Sequence, residues 1–268
     1  MKVINVDDLI VVREGNIILS NISFDIKMGS FVSIVGANGS GKSTLIKTLA
    51  GLIDYSGYIS INGFYLEDDI SKIYKSVSYV FDDVDSLILG NTVYENLLIE
   101  LSHLKLSNKE IDERINDICQ MFDIDKSILG KNMVLLNNDL KQKIKIAAAI
   151  ISEPSILILD DCLHQLSVKD RNIVIKMLNK LKKEKNMTIV MVTHNMEDTL
   201  NSDRIIVMDK GKIVMDGSVR EVLLDKDKIV DYGLDLPFIV DLSLELIKNK
   251  KINHIYFNQR KLVDELWK

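Results

Sequence analysis

Residues 30–44 read Ser-Phe-Val-Ser-Ile-Val-Gly-Ala-Asn-Gly-Ser-Gly-Lys-Ser-Thr, an apolar run that leads into a glycine-rich loop. The last nine residues match the phosphate-loop pattern GxxxxGK[ST] at every fixed position. Leu45 and Leu49 then follow at helical spacing. A strand before the loop and a helix after it form the context in which this pattern binds polyphosphate, and they disfavour a chance match. The stretch therefore predicts a nucleotide site.

Each residue type in this loop has a chemical reason to be there. Glycines let successive backbone N–H groups point inward, and the following helix contributes the positive end of its dipole. Lys42 is predicted to bridge the β- and γ-phosphates of ATP, and Ser43 is predicted to place its hydroxyl on Mg²⁺. The predicted ATP-binding residues are Gly36, Asn38, Gly39, Ser40, Gly41, Lys42, Ser43 and Thr44.

Composition restricts the remaining possibilities. The chain has 268 residues, of which 47% are hydrophobic, so we expect either one large globular domain or a core domain with a small appendix. A formal net charge of -5 argues against a nucleic-acid partner. The first residues resemble a strand, not a signal peptide, and no apolar run approaches the roughly 18 residues of a membrane span. Cys119 and Cys162 lack metal-ligand spacing and are expected to be buried, reduced thiols.

Apolar periodicity beyond the loop predicts an α/β protein with a parallel sheet covered by helices. Residues 93–150 read as a helical block, and a helix is expected over 169–183 between two later strands. We expect an ATP-binding domain over 1–228, with a helical subdomain inserted at about 88–152, and an extension over 229–268. The predicted strands are 2–12, 24–27, 30–35, 58–61, 76–81, 156–160, 188–193, 204–208 and 212–215.

Two further strand ends carry polar residues. The apolar strand Ile-Leu-Ile-Leu ends in Asp160-Asp161, where a carboxylate can reach the Mg²⁺ shell. His194 follows another buried strand and is predicted to touch the γ-phosphate. Two aspartates or one histidine alone would more often be structural. The phosphate loop upstream is what favours a functional role for these residues. The other histidines, His103, His164 and His254, are expected to be surface or packing residues.

The order of these motifs resembles the ATP-binding cassette (ABC) transporter family over about residues 1–222. In that family, the LSGGQ signature falls where this chain has Leu136, Asn137, Asn138, Asp139 and Leu140. Glu153-Pro154 also precedes the Asp160 strand at the usual place. The tail, which begins Tyr232-Gly-Leu-Asp-Leu-Pro, looks like the extension of energy-coupling factor (ECF) transporter ATPases.

This resemblance implies a P-loop NTPase (RecA-like) core with a mixed sheet, an inserted helical subdomain and a small C-terminal extension. It also implies an ATP-hydrolysing subunit at the cytoplasmic face of the cell membrane, in ECF-type uptake of vitamins or transition metals. The implied partners are a second ABC ATPase subunit, a transmembrane coupling subunit and a substrate-binding membrane subunit. Soluble cassettes that act on DNA or ribosomes usually need tandem cassettes or long inserts, which this chain lacks.

Several positions depart from the family pattern. Asp161 stands where glutamate is usual, so the candidate catalytic base is one methylene shorter. The signature lacks both glycines and gains Asp139, whose charge should repel a triphosphate. Asp82 replaces glutamine and is expected to approach Mg²⁺ through water. Ser167 replaces aspartate, and no aromatic residue near Arg13 is placed to stack on adenine.

These departures leave two functional hypotheses open. Cassette dimers assemble head to tail, so each ATP lies between one phosphate loop and the other subunit's signature. A homodimer would carry every departure twice, and we therefore expect a heterodimer with a more standard ATPase. The chain is either a working ATPase or a regulatory nucleotide-binding subunit with little hydrolysis.

Expectations for the remaining surfaces are simpler. Apolar residues over 239–247 predict a tail helix that packs on the core or on a dimer partner. Lys141, Lys143 and Lys145 are expected to be solvated. A groove for a membrane subunit's coupling helix is expected around residues 82–89 and the helical insert.

Overall fold

The strands form two sheets in the computed structural model, which describes residues 1–82 and 89–267. The smaller sheet is antiparallel and has the order β2-β1-β4-β5. Its strands are β1 (Lys2–Arg13), β2 (Asn16–Lys27), β4 (Ser56–Ile61) and β5 (Phe64–Tyr65). The expected groove for a coupling helix includes residues 83–88, which lie outside the described residues.

The larger sheet has the order β10-β9-β3-β8-β7-β6 and is parallel except where β10 pairs with β9. The mixed sheet that the resemblance implied is thereby confirmed. Its strands are β3 (Phe31–Val35), β6 (Val77–Val80), β7 (Ile156–Asp160), β8 (Thr188–Val192), β9 (Arg204–Asp209) and β10 (Lys212–Ser218).

Helices connect and cover these strands. The helical block predicted over 93–150 contains α3, α4 and α5, together with short 3₁₀ turns at Lys126–Ile128 and Met133–Leu135. No helix among the described residues is both long and apolar enough to cross a bilayer. The helices are α1 (Lys42–Leu49), α2 (Ile70–Ile73), α3 (Val93–Leu101), α4 (Asn108–Met121), α5 (Asn138–Ile151), α6 (Val168–Lys185), α7 (Met196–Thr199), α8 (Val219–Leu224), α9 (Lys226–Asp231), α10 (Phe238–Lys248) and α11 (Gln259–Leu266).

The central strands of the larger sheet are buried on both faces, which explains their continuous apolar runs. Because successive side chains alternate, Leu157 and Leu159 of β7 pack with α3, α5 and α6. Ile156 and Ile158 pack on the opposite face with α1 and the smaller sheet. Each such side chain contributes about 1.5–3 kcal/mol of burial free energy. The larger sheet is thus a rigid middle layer.

The second strand is longer than the sequence indicated. Only 24–27 was predicted, whereas β2 begins at Asn16 and forms a hairpin with β1. Glu14 and Gly15 both have positive φ, of 51° and 77°, and form the tight turn. Polar residues in β2 interrupt the alternation of apolar and polar side chains that usually identifies a strand. The glycine-containing turn before Asn16 was the feature from which the longer strand could have been predicted.

The tail packs against the larger sheet. Ile239 and Val240 of α10 are buried in a cluster with Val35 and Val207, from β3 and β9. The prediction of a tail helix packed on the core is confirmed.

The expectation that Lys141, Lys143 and Lys145 are solvated is wrong. All three are buried, with at most 7% of each residue exposed. The ammonium group of Lys143 lies 2.9 Å from Asp170 of α6 and also donates to the main-chain oxygen of Asp123 at 3.2 Å. Because α5 is covered by neighbouring elements on several sides, its charged residues face protein, and helical spacing alone does not show this.

We predict that Lys143→Ala lowers the free energy of unfolding by about 3 kcal/mol, because it leaves the Asp170 carboxylate without its buried partner. Lys109→Ala is the matched control, since its 3.8 Å ion pair with Glu113 is exposed and should contribute less than about 1 kcal/mol. Urea unfolding of the two variants measures both values. Equal losses would contradict the buried ion pair.

Candidate functional site

Three strand ends meet at one edge of the larger sheet. Strands β3, β8 and β7 are parallel neighbours, so the segments that follow them leave the sheet at the same edge. The phosphate loop follows β3, Asp160 and Asp161 lie at the end of β7, and His194 lies just beyond β8. The structure therefore brings together the three motifs that are distant in sequence. Ligands of open α/β sheets bind at this carboxyl edge.

Glycine is required at two positions of the phosphate loop. A Cβ atom at Gly36 would lie 2.2 Å from the main-chain oxygen of Met208. Gly41 has φ of 102°, and a Cβ atom there would lie 2.7 Å from Leu19 of β2. Helix α1 begins directly after Gly41 without a side-chain cap or an acidic residue in its first turn. Its free N–H groups and dipole favour an anion at this point.

Lys42 lies over the loop that precedes it. Its Nζ donates to the main-chain oxygens of Gly36 at 2.8 Å and Ala37 at 2.9 Å, and to Ser40 Oγ at 3.3 Å. Burial lowers the pKa of Lys42, while the charges of Asp161 and Asp160 oppose that shift. A partly desolvated ammonium group with only neutral ligands is well suited to bind phosphate oxygens.

Ser43 and Asp160 form the candidate Mg²⁺ site. Ser43 Oγ donates to Asp160 Oδ1 at 3.3 Å, so a hydroxyl and a carboxylate oxygen meet as they do in magnesium sites completed by phosphates. Burial raises the pKa of Asp160 to about 6, with smaller upward contributions from Asp161 and Asp82. A divalent cation would stabilise the ionised form of a buried carboxylate that lies near two other carboxylates. The residues present therefore fit Mg²⁺.

The described residues contain no group of three or more His, Cys, Asp or Glu side chains arranged to hold a metal ion. A magnesium ion at Ser43 and Asp160 would need oxygen atoms from a nucleotide or from water. This dependence is usual for Mg²⁺, which keeps several waters and binds together with phosphates.

Asp161 and His194 are in direct contact. His194 Nδ1 donates to Asp161 Oδ2 at 2.7 Å. The main chain of Asp161 is in the left-handed region with φ of 48°, and its N–H donates to Val192 of β8 at 2.9 Å. This conformation is uncommon for residues other than glycine. The candidate base and the candidate γ-phosphate contact thus form one hydrogen-bonded pair, while their catalytic roles stay predictions.

A buried ion pair that the sequence did not reveal supports the segment around His194. Asp198 is buried and accepts from Arg171 Nε at 2.9 Å and from Thr193 Oγ1 at 3.1 Å. Burial raises the pKa of Asp198, and Arg171 opposes that shift. Thr193 Oγ1 in turn accepts from the N–H of Asn195 at 3.0 Å. Because Thr193 and Asn195 flank His194, this network fixes the backbone that carries the imidazole.

Asp82 lies near the site, with its side chain 54% exposed. Gln165 Nε2 donates to both Asp82 O at 3.0 Å and Asp82 Oδ1 at 3.1 Å. His164 is also here, with its Nε2 3.7 Å from Asp82 Oδ1. His164 is exposed, as expected for a surface residue. The turn at Asp161 folds the next residues back, so His164 also lies beside Asp82 and Asp161.

The signature segment begins helix α5. Asn137 caps the helix and accepts from the N–H of Leu140 at 2.8 Å, while Leu136 and Leu140 pack on the helical core. Asp139 Oδ1 accepts from the N–H of Ser167 at 2.9 Å. Two departures from the family pattern therefore contact each other, and the carboxylate at 139 binds its own chain.

Comparison with known proteins agrees with this geometry. Residues 19–164 match the ABC transporter family. The chain belongs to this family. It is 33% identical over 252 residues to the energy-coupling factor transporter ATP-binding protein EcfA1 of Streptococcus mutans serotype c, covering 93% of this chain and 90% of the relative.

Two solved structures are similar to the fold of this ABC protein. The cbiO1 protein of Clostridium perfringens, part of the ABC transporter complex cbiONQ, has a TM-score of 0.76 and 27% identity, covering 93% of this chain and 98% of its own. The ATP-binding cassette MJ0796, a dimer in a post-hydrolysis state bound to ADP and Pi, has a TM-score of 0.74 and 26% identity over 81% of this chain and 99% of its own. The P-loop NTPase fold and the ATPase class are thereby established.

We predict that Asp160→Asn raises the thermal unfolding midpoint of the nucleotide-free chain in EDTA. The folded pKa of about 6 exceeds the ordinary value of 3.8, so ionisation opposes folding by roughly 2–3 kcal/mol above pH 6 and by less as the pH falls toward 4. The gain should therefore shrink between about pH 8 and about pH 5. Asp112→Asn, at an exposed aspartate of α4, is the control. A gain in the unfolding midpoint that does not change with pH would contradict a buried Asp160 carboxyl group with a raised pKa.

Proposed function

We propose that this chain is an ATP-hydrolysing subunit of an ECF-type transporter for the uptake of vitamins or transition metals. The observation that carries the proposal is the similarity to EcfA1 over 93% of the chain, which extends well beyond the family match over residues 19–164. A transmembrane coupling subunit and a substrate-binding membrane subunit complete the assembly at the cytoplasmic face of the membrane. The substrate-binding membrane subunit selects the substrate, so the residues of this chain do not identify which substrate is transported.

ATP binding uses the loop and the helix that follows it. The N–H groups at the start of α1 and the Lys42 ammonium hold the β- and γ-phosphates, and Ser43 and Asp160 are the residues that would hold Mg²⁺. The chemistry supplied by an ion bound there would be neutralisation of phosphate charge. Closure of a head-to-tail dimer around ATP and its reopening after hydrolysis shift the membrane subunits between two states.

Hydrolysis requires a base for the attacking water, and Asp161 is the candidate. His194 holds its carboxylate through the 2.7 Å hydrogen bond, and the left-handed main chain of Asp161 fixes where the short side chain begins. Asp161 orients the water and accepts its proton, and His194 lies beside the developing charge. Because the side chain of aspartate is one methylene shorter than that of glutamate, we expect slower turnover than a glutamate would support.

The second ATPase subunit of the proposed assembly is a different chain. In a head-to-tail dimer, the signature residues Asn137 and Asp139 face the partner's nucleotide. The Asp139–Ser167 contact restrains the added negative charge within this chain, but it leaves a carboxylate where the family has glycine. A partner with a standard signature would serve the site built on Lys42, so a heterodimer has at least one complete signature.

A regulatory subunit with little hydrolysis is the second candidate function. The short carboxylate at Asp161 and the glycine-free signature favour it, because both reduce transition-state stabilisation without removing the ATP-binding loop. In that case ATP would hold the dimer closed while the partner's chemistry sets the rate.

The test compares ATP hydrolysis by this chain alone, by its complex with the co-purified second ATPase, and by the complex carrying Asp161→Glu. We expect little turnover by the chain alone, clear turnover in the complex, and an increase of several-fold with Asp161→Glu. Asp161→Asn, which removes the charge at constant size, should lower turnover. Brisk turnover by a homodimer would contradict the heterodimer, and turnover unaffected by either variant would support the regulatory function.

A further inference from the structure

His164 occupies the centre of a group of polar residues. Its Nδ1 donates to the main-chain oxygen of Asp161 and lies 4.0 Å from Asp161 Oδ1. On the other side its Nε2 lies 3.7 Å from Asp82 Oδ1. Its ring centroid is 5.9 Å from that of His194. An ordinary surface histidine would not contact three separate parts of a site, and this arrangement calls for a role.

The next residue, Gln165, extends the same contact. Its amide donates to the main-chain oxygen and to the carboxylate of Asp82. Residues 164 and 165 therefore connect the turn after β7 to the end of β6, across 83 positions of sequence for the Gln165 contacts. Asp82 and Asp161 are held by one short segment, and a shift of that segment would move both carboxylates.

Asp161 needs this support for a physical reason. A non-glycine residue in the left-handed region carries strain on the order of 1 kcal/mol or more, and such a conformation persists only where neighbours determine it. The hydrogen bond from His164 to the main-chain oxygen of Asp161 is one such constraint, and the N–H bond to Val192 is another. Since an error of about 1 Å in the position of a reacting group lowers the rate on the order of a hundredfold, loss of either constraint should slow hydrolysis.

We propose that His164 is a positioning residue for ATP hydrolysis, which holds Asp161 in place, while the adjacent Gln165 holds Asp82. The proposal rests on the proposed role of Asp161 as the base. His164 acts on the reaction through Asp161 and not by contact with the nucleotide. In this chain it compensates for the missing methylene at position 161, because a short carboxylate tolerates less movement than a long one.

The experiment measures hydrolysis by the complex with the second ATPase for His164→Ala and His164→Asn. We expect His164→Ala to lower kcat on the order of tenfold while the KM for ATP and the thermal midpoint stay unchanged. His164→Asn should recover most of the rate, since its amide can donate to the main-chain oxygen of Asp161. His103→Ala, at an exposed histidine, is the matched control and should have no effect.

A double variant separates positioning through Asp161 from any independent effect. With Asp161→Asn already present, His164→Ala should cause little further loss, whereas independent effects would multiply. Multiplied effects, or an unchanged kcat in His164→Ala, would overturn the proposal.

A measurement without turnover keeps the two proposals distinguishable. In the nucleotide-free chain, the NMR signals of the His194 imidazole should differ between His164→Ala and His164→Asn. Both variants remove the neighbouring ring, but only the asparagine can restore the hydrogen bond to Asp161, which contacts His194. The His194 signals should stay in place in His103→Ala. If the unmodified complex does not hydrolyse ATP, the proposed function fails while this spectrum still reports positioning. Identical His194 signals in His164→Ala and His164→Asn would contradict the proposal about His164.

Discussion

The parallel pairing of β3, β8 and β7 is the constraint on which the site depends. It places the phosphate loop, the Asp160-Asp161 pair and His194 at one edge of a sheet that is buried on both faces. The strands cannot slip by one residue without moving their apolar side chains from one packed layer to the other. The position of Asp160 relative to Ser43 is therefore set by the packing of the core, and the loop supplies only the local geometry. Charge at this edge is costly, which is why burial raises the pKa of Asp160 and lowers that of Lys42.

The departures from the family pattern are connected in the structure. Asp139 and Ser167, which both differ from the family, contact each other. Asp82 and Asp161 also differ, and His164 and Gln165 lie between them. The contact at Ser167 uses its main-chain N–H, so it does not depend on the residue type at position 167. These contacts are compatible with slow ATP hydrolysis.

The amino-acid sequence predicted the parts of the site that depend on local geometry. The phosphate loop, Lys42 and Ser43 follow from a contiguous pattern, and Asp160 follows from its place at the end of an apolar strand. His164 was missed because its position depends on the left-handed turn at Asp161, which no residue type in the sequence indicated. The burial of Lys143 was missed because it depends on the approach of α6 to α5. The hairpin turn at Glu14 and Gly15, in contrast, contains a glycine. That glycine could have been used to predict the turn, and with it a β2 strand that begins at Asn16.

We propose that the ATP bound at this chain's own phosphate loop drives the assembly. The most direct measurement is ATP hydrolysis by the complex in which Lys42→Ala is present in this chain only, with nucleotide binding measured alongside. We expect loss of ATP binding at this chain and a fall in turnover on the order of tenfold or more. Unchanged turnover together with lost binding would show that ATP at this chain's site does not drive the assembly.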